Sequence, residues 1–475
     1  MAESIPYGVA SGDVTAEEVT LWASLNGSGD VTVTVARNGE GVWRTNESAT
    51  TVGPKRWRVS GLIPGTRYTY TVEHGGESST GMFRTLPAGG ALRFAVVTCA
   101  KFNSGYFNAY ARVADRDDLD FVLHMGDYIY EAGDTPLLGQ APGAGIGRTF
   151  DPVSACVTYE DYTRRYAQYR SDPDVQALHR SHAMWATLDD HELADNAYRE
   201  GAEAHDDVRD GDWRLRRHGA LRAWHDWMPT TRNPLEGDDV WTAFAVPGLA
   251  TIALLETRLD RDGPTIPREL RSALGKSESE WLARLVANVE TPWLVLGSPS
   301  MLTPIHGMSY DEDATWALRK LKLRSLTEDQ PYDDLWDSFP VERDTVLRQL
   351  AASPATPVVL SGDVHISVSS TLSVDGGVVG PEWVTTSVTS PNLDDKCGWT
   401  PRADSLQYED AVRRAVRAIE WCDFDSHGYM IITISPSEAR AEWWAVDTVL
   451  ERSSGERKAY EDTWKRDNAE DRASS

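Results

Sequence analysis

Short apolar runs alternate with polar positions along about the first 85 residues, a pattern that is typical of β-strands. Turns rich in Gly, Asn and Pro separate these runs. They predict five strands, at residues 19–25, 31–37, 57–60, 67–73 and 82–85. Strands of this length and spacing predict a small β-sandwich at the N-terminus.

The hydrophobic pattern changes after the linker at residues 86–90. Apolar runs now alternate with segments of helical period, which favours an α/β architecture. The predicted helices cover residues 106–115, 213–227, 278–289 and 341–352, and long surface loops are expected at 137–147 and 326–337. The charged segment after residue 450 is either a solvated end or, because Tyr460 and Trp464 are spaced i,i+4, a short docking helix. We therefore predict three regions: a β-sandwich at 1–87, an α/β domain at 91–450 and a charged tail at 451–475.

Composition narrows the class of protein. The 475 residues are 41% hydrophobic and 25% charged, which favours a soluble globular protein over a disordered one. Asp and Glu number 73 against 47 for Lys and Arg, and the net charge of −26 disfavours general nucleic-acid binding. No apolar run approaches the roughly 20 residues that span a bilayer. The N-terminus has no export signal, so the chain as written is expected in the cytoplasm, and four cysteines are too few for a disulfide framework.

Four apolar runs are each followed at once by residues able to bind a metal ion. The runs at residues 94–97, 121–123, 184–188 and 358–360 lead to Cys99, to Gly126-Asp127-Tyr128-Ile129-Tyr130, to Asp189-Asp190-His191-Glu192 and to Gly362-Asp363-Val364-His365. In open α/β sheets the carboxyl ends of the strands form the rim where ligands bind. We therefore predict that the four clusters share one site.

These blocks resemble those of the calcineurin-like metallophosphoesterases, and most closely the PhoD-type alkaline phosphatases and phosphodiesterases. Cys99 stands where most of that superfamily has Asp, and the blocks at 189–192 and 362–365 depart from the usual Gly-Asn-His-Glu and Gly-His-x-His as PhoD proteins do. The resemblance implies a four-layer domain with two central sheets. It also implies a preceding fibronectin type III-like β-sandwich, whose tyrosine corner is expected in residues 62–72.

The resemblance implies a ligand set for a first metal: Cys99, Asp127, Tyr130 and His365. Three anionic ligands and one imidazole suit a trivalent cation, so Fe3+ is expected here. A packed thiol is the alternative for Cys99. The second position, with Asp127 bridging to Asp190 and Asp363, is all oxygen and favours Ca2+ or Mg2+. No histidine near residues 296–300 completes it, so its other ligands and the metal count stay open.

A pair of metal ions implies hydrolysis of phosphomonoesters or phosphodiesters by in-line attack of a metal-bound hydroxide, with a small-molecule ester or a phospholipid as substrate. His191 is the candidate for contacting the phosphoryl group or protonating the leaving oxygen, and Glu192 is expected to orient it. Asp127 is grouped with His191 as catalytic because it bridges the ions. Arg258 either binds substrate oxygen or forms an ion pair.

Other candidates have simpler interpretations. Four histidines outside these blocks are expected to be core or surface residues: His124, His182, His306 and His427. The Trp-rich helix at 213–227 is predicted to be core. The rival hypothesis is a non-catalytic binding protein, in which the sandwich engages a partner and the metal blocks only stabilise the fold. Proteins of the PhoD type, which this chain resembles, are commonly exported, so the localisation of the chain stays open.

Overall fold

The N-terminal region of the computed structural model consists of seven strands. The structure describes residues 3–49, 52–134, 145–237, 239–305 and 335–466, so the two predicted long loops and His306 lie wholly or largely outside it. The strands are β1 (Val9–Gly12), β2 (Glu18–Leu25), β3 (Gly29–Arg37), β4 (Glu40–Ala49), β5 (Gly53–Ser60), β6 (Arg67–His74) and β7 (Glu77–Arg84). The five predicted strands are confirmed, and β1 and β4 were missed. Strand β4 was missed because its side chains are mostly exposed, so its sequence shows no apolar face. It follows a tight Asn38-Gly39 turn in which both residues have positive φ.

The predicted tyrosine corner is present. The Tyr68 hydroxyl accepts a hydrogen bond from the Ile63 N–H at 2.9 Å. Strands β3, β4, β6 and β7 form one sheet of the sandwich. The other three strands, β1, β2 and β5, belong to a much larger sheet that continues into the rest of the chain.

That larger sheet has nine strands, and its centre is parallel. The strands after the linker are β8 (Leu92–Val97), β9 (Phe121–His124), β10 (Ala183–Ala186), β20 (Gly428–Ile434), β21 (Glu438–Val446) and β22 (Glu456–Lys465). Their order is β22-β21-β20-β8-β9-β10-β1-β2-β5. Strands β8, β9, β10 and β1 pair in parallel, so β8, β9 and β10 end at the same edge.

A second sheet of seven strands packs against the first. Its strands are β13 (Thr242–Val246), β14 (Ala250–Leu254), β15 (Trp293–Ser298), β16 (Thr356–Ser361), β17 (Ser367–Val374), β18 (Gly377–Val384) and β19 (Ile419–Asp423). Their order is β13-β14-β15-β16-β18-β17-β19, with β14, β15, β16 and β18 parallel. A shared apolar core joins the facing sides of the two sheets, for example Phe121 with Phe244. A short pair, β11 (Ala197–Tyr198) and β12 (Gly201–Ala202), lies apart.

Helices cover the outer faces of both sheets and complete four layers. They are α1 (Asn108–Ala114), α2 (Tyr159–Ser171), α3 (Pro173–Ser181), α4 (Asp207–Asp210), α5 (Trp213–Trp227), α6 (Gly275–Ala287), α7 (Pro340–Ala351), α8 (Leu393–Cys397) and α9 (Leu406–Ala415). Helices α1, α2, α3 and α5 pack on the nine-stranded sheet, and α6 and α7 on the other. The four predicted helices correspond to α1, α5, α6 and α7. Helix α5 buries Trp213, Trp224 and Trp227 as core residues.

The charged tail, expected to be either a solvated end or a short docking helix, is neither over residues 456–465. Residues 456–465 are strand β22, which pairs antiparallel with β21 at the edge of the nine-stranded sheet. Tyr460 stacks on Trp421 with ring centroids 4.4 Å apart. The expectation of a helix was wrong because residues four apart share one face of a strand as well as of a helix. The three-part division of the chain stays a prediction. Within the described residues no helix is long and apolar enough to cross a membrane.

Candidate metal centre

The four predicted clusters meet at one edge of the two sheets. Cys99 follows β8, Asp127 and Tyr130 follow β9, Asp190 follows β10, and the block with Asp363 and His365 follows β16. Ligand atoms within 4.8 Å of one another define three overlapping groups: Cys99, Asp127 and His365; Asp127, Asp190 and His191; and Asp189, Asp190 and Asp363. Asp127 and Asp190 each belong to two groups. The structure therefore brings all the predicted ligand residues together.

Tyr130 lies between two of the other predicted ligands. Its hydroxyl donates a hydrogen bond to Asp127 Oδ2 at 2.8 Å, and the same oxygen is 3.2 Å from His365 Nε2. His365 Nδ1 donates to the carbonyl of Pro391 at 3.3 Å, because a carbonyl only accepts. The other ring nitrogen, Nε2, therefore faces the Tyr130 hydroxyl and is the atom that could ligate a metal ion. Tyr130 and His365 therefore complete the group around Cys99 and Asp127.

The backbone at these residues is unusual. Nine non-glycine residues in the described part of the chain have positive φ, and four of them are predicted ligands: Cys99 at 57°, Asp127 at 56°, Asp363 at 70° and His365 at 59°. Left-handed backbone costs a non-glycine residue about 1–2 kcal/mol. Such strain is concentrated at functional sites, where it points side chains into the site. A relaxed backbone at the end of a strand would point them elsewhere. Its concentration here supports a function for the cluster.

Burial controls the protonation of the group around Cys99. It raises the pKa of the Cys99 thiol well above its usual range, and the Asp127 carboxylate adds to this effect. Burial and Asp127 also raise the pKa of the Tyr130 phenol, and burial raises that of Asp127 itself. These groups become anionic only beside a positive charge. A metal ion bound among them would therefore displace protons as it binds.

Glu192 does not orient His191, contrary to our expectation. Its carboxylate accepts hydrogen bonds from the backbone N–H groups of Asp127 at 3.0 Å, Tyr128 at 2.6 Å and Asp189 at 2.7 Å. Burial raises the pKa of Glu192 to about 8, although these N–H groups oppose it. Glu192 therefore ties the loop after β9 to the loop after β10.

Glu131 orients His191 instead. His191 Nδ1 donates to Glu131 Oε2 at 2.7 Å, and Glu131 also accepts from the Asp195 N–H at 2.8 Å. The imidazole lies against the Tyr130 ring, with centroids 4.0 Å apart. Burial acts to lower the pKa of His191, but Asp190, Asp127 and Glu131 outweigh it and the pKa rises well above its usual value. Sequence reasoning missed Glu131 because Glu192 was the carboxylate adjacent to His191 in the chain.

Arg258 is fully buried beside the acidic residues. Its Nε donates to Asp189, and its Nη2 lies 3.7 Å from Asp190 Oδ1 and 3.5 Å from Asp363 Oδ2. With no exposed surface, Arg258 fits the ion-pair interpretation better than contact with substrate. Arg258 opposes the burial that raises the pKa of Asp189 to about 6. Asp189 is a member of this cluster to which the sequence assigned no role.

Three of the four histidines named from the sequence are described, and all three are buried in the core, as predicted. His124 Nε2 bonds to the Tyr110 hydroxyl at 2.7 Å, and burial lowers the pKa of His124 to about 3. His182 Nε2 donates to the Val113 carbonyl at 3.0 Å. His427 contacts Ser387 and Asp395, as described below.

Comparisons with known proteins agree with this geometry. The model of the PhoD-like phosphatase family matches residues 94–443, and that of the PhoD-like phosphatase N-terminal domain matches residues 1–87. The chain is 30% identical to alkaline phosphatase D of Bacillus subtilis (strain 168), over 94% of this chain and 79% of that protein. A solved structure of PhoD superposes with a TM-score of 0.83 at 27% identity, covering 98% of this chain and 91% of the other. The non-catalytic alternative is therefore not favoured, and the chain, a metal-dependent phosphoesterase, belongs to the PhoD-like phosphatase family.

Proposed function

We propose that this phosphoesterase uses Fe3+ held by Cys99, Asp127, Tyr130 and His365, beside Ca2+ held by Asp127, Asp190 and Asp363. The observation that carries the proposal is the convergence of these side chains, with the ligand atoms of Cys99, Asp127 and His365 within 4.8 Å of one another. Family membership implies a small-molecule phosphate ester as the substrate.

Charge balance supports a trivalent ion in the first position. Thiolate, phenolate and carboxylate carry three negative charges into a site where Cys99, Asp127 and Tyr130 are all buried. A buried excess of charge is costly, and a trivalent cation cancels these three charges where a divalent cation leaves one. The phenolate of Tyr130 is also a ligand that suits iron, as it does in catalase.

Oxygen-only ligation supports a hard cation in the second position. Asp189, Asp190 and Asp363 offer carboxylate oxygens within 4.8 Å of one another, and Asp190 Oδ2 already accepts the Asn196 N–H at 2.6 Å. Calcium takes six to eight oxygen ligands, magnesium fewer and in stricter geometry. Asp190 and Asp363 with bridging Asp127 suit calcium, and Asp189 adds an oxygen for a further Ca2+ or Mg2+.

The bound ions would supply charge neutralisation at the phosphoryl oxygens and a lowered pKa for a coordinated water. The chain itself supplies His191. Its Nδ1 is fixed by Glu131, so Nε2 is the atom left to donate a proton to the leaving-group oxygen. Burial acts to lower the pKa of that imidazole, but the carboxylates of Asp190, Asp127 and Glu131 raise it well above its usual value, which favours the proton donor.

Arg258 serves this proposal as a positioning residue. Its guanidinium is buried among Asp189, Asp190 and Asp363 and contacts all three. It holds their carboxylates in one arrangement and offsets part of their charge before any cation binds. Direct contact with substrate is not part of the role proposed for Arg258, because the side chain has no exposed surface.

Activity and metal content test the proposal together. Purified chain should cleave p-nitrophenyl phosphate or bis-p-nitrophenyl phosphate in the presence of calcium, and phosphatidylcholine vesicles test the phospholipid option. Elemental analysis of the active protein should find about one iron per chain. Stoichiometric zinc without iron in active protein would overturn the ligand assignment. DNA and RNA are expected to be poor ligands because of the net charge of −26.

A further inference from the structure

The loop at residues 387–392 contacts two predicted ligands of the first metal through the backbone. The Thr389 and Ser390 N–H groups donate to the Cys99 carbonyl at 3.3 and 3.1 Å, and the Val388 N–H donates to the Thr98 carbonyl at 3.0 Å. At its other end, the Pro391 carbonyl accepts from His365 Nδ1 at 3.3 Å. The loop therefore determines both where Cys99 lies and how the His365 ring is turned.

The shape of this loop depends on Ser387. Its hydroxyl lies 2.7 Å from the Ser390 carbonyl, 2.8 Å from Asn392 Oδ1 and 3.0 Å from His427 Nδ1. A hydroxyl has one hydrogen, and the carbonyl and amide oxygens only accept, so His427 Nδ1 must donate to Ser387. Ser387 and Asn392 are fully buried, so water does not replace these bonds.

His427 is in turn fixed by a carboxylate. Its Nε2 lies 3.2 Å from Asp395 Oδ2, at the start of α8. Both ring nitrogens therefore donate, which is the cationic form of histidine, and Asp395 supplies the opposite charge. The backbone of the next residue adds a bond, because the Gly428 N–H donates to the Ser387 carbonyl at 3.1 Å.

We propose that His427, paired with Asp395, is a positioning residue that aligns Cys99 and His365 by fixing the loop at residues 387–392. This inference rests on the metal roles proposed above for Cys99 and His365. His427 touches neither of them. It acts through Ser387 and the backbone carbonyls of Cys99 and Pro391, as residues behind a metal ligand commonly do.

Two substitutions separate the two bonds of the imidazole. His427→Asn places an amide nitrogen near the position of Nδ1 and keeps the bond to Ser387, whereas His427→Gln reaches the position of Nε2 and keeps only the bond to Asp395. If positioning acts through Ser387, His427→Gln should lose about 10–100-fold in iron affinity and kcat, and His427→Asn much less. KM should change little in both, because substrate contacts are not altered.

His182→Gln is the matched control. His182 is a buried histidine with one backbone acceptor, and it lies away from the metal centre. Its substitution should lower the melting temperature without changing the iron retained after dialysis against a chelator. Circular dichroism checks that each variant is folded, and Asp395→Asn, which keeps the ring and its bond to Ser387, should resemble His427→Asn.

Cys99→Ser separates failure of this inference from failure of the proposed function. If Cys99→Ser retains iron and activity, the metal assignment itself is wrong. If Cys99→Ser loses iron while folded His427→Gln keeps wild-type iron affinity and kcat, the positioning role of His427 is wrong. Equal losses in His427→Asn and His427→Gln would also overturn it, because a general structural role does not distinguish the two nitrogens.

Discussion

In the described part of the chain, two acidic triads each lie beside an arginine. We call Asp189, Asp190 and Asp363 the site triad, and Glu409, Asp423 and Asp425 the Arg402 triad. In both, the three carboxylates offer oxygens within 4.8 Å of one another. Both consist of carboxylates alone, and of the six residues only Asp363 is partly exposed.

The two triads differ in how closely their arginines contact the three carboxylates. Arg402 Nη2 donates to Glu409 at 2.9 Å, Nη1 lies 3.0 Å from Asp423, and the Arg402 N–H donates to Asp425 at 2.6 Å. Arg258 donates to Asp189, and its Nη2 lies 3.7 Å from Asp190 and 3.5 Å from Asp363. The Arg402 triad therefore has its counterion built in. The site triad, in contrast, continues through Asp190 into the group with Asp127 and His191, which makes it the better candidate for a metal ion.

The largest effect is expected from the residue that links the site triad to the first metal. Asp127→Asn should reduce kcat about a thousandfold, the upper range for removing one electrostatic stabiliser, while the chain stays folded. Assays with both nitrophenyl esters measure it. Asp423→Asn in the Arg402 triad is the control and should lower stability but leave kcat unchanged. Substantial activity in folded Asp127→Asn would contradict a bridging role.

The next largest effect concerns metal identity, which distinguishes the first metal position from the second. Cys99→Ser and Tyr130→Phe should lose most of the iron and the visible charge-transfer absorption that phenolate and thiolate ligands give to Fe3+. Asp190→Asn should weaken calcium binding and spare the iron absorption, because it removes charge from the all-oxygen position. Absorption spectra and elemental analysis of the same samples check both expectations. Loss of the iron absorption in Asp190→Asn would show that the two positions are not separate.

A smaller effect is expected at Glu131. Glu131→Gln should reduce kcat about 10–100-fold with little change in KM, because the His191 ring loses its carboxylate partner while substrate binding is kept. Steady-state kinetics separate the two parameters. Glu442→Gln, which alters a buried carboxylate paired with Arg93 far from the site, is the matched control and should leave kcat unchanged. Unchanged kcat in Glu131→Gln would argue against a role for His191 in proton transfer.

The smallest effect concerns stability alone. Arg402→Leu should cost about 2 kcal/mol, less than a fully buried pair, since the Arg402 side chain is one-third exposed. Burial raises the pKa of Glu409 and of Asp425 although Arg402 opposes it, so the folded chain binds these protons more tightly than the unfolded chain. The contribution of these two groups to stability therefore falls as pH rises above about 4, and more steeply in the variant. Urea unfolding of the wild type and of Arg402→Leu at pH 5 and pH 8 measures the free energy of unfolding. If the variant lost less of it at pH 8 than at pH 5, this account would be refuted.

The site was largely predictable because parallel strands end together. Cys99, Asp127 and Asp190 follow three neighbouring parallel strands, so their positions in the chain already placed them at one edge. That reasoning does not extend to Asp423, which ends the antiparallel edge strand β19 and is paired with Arg402.

What the sequence did not predict depends on contacts between distant residues. Glu131 and Glu192 are both acidic neighbours of the site, and nothing local decides which one faces His191. The spacing of Tyr460 and Trp464 fits a strand as well as a helix, and the choice was made by pairing with β21. Strand β1 was missed because Val9–Gly12 is too short to show a period.

Strand β1 also has a consequence for how the chain folds. It pairs in parallel with β10, Ser11 opposite Ala183 and Gly12 opposite Met184, so its partner is synthesised long after it. Contacts between residues so distant in sequence slow folding, because a long loop must close before they form. During synthesis, strand β1 cannot pair with β10 until residue 186 has left the ribosome. The two regions that the sequence divides at the linker therefore reach their final state together, and the family's N-terminal module is completed by the enzyme that follows it.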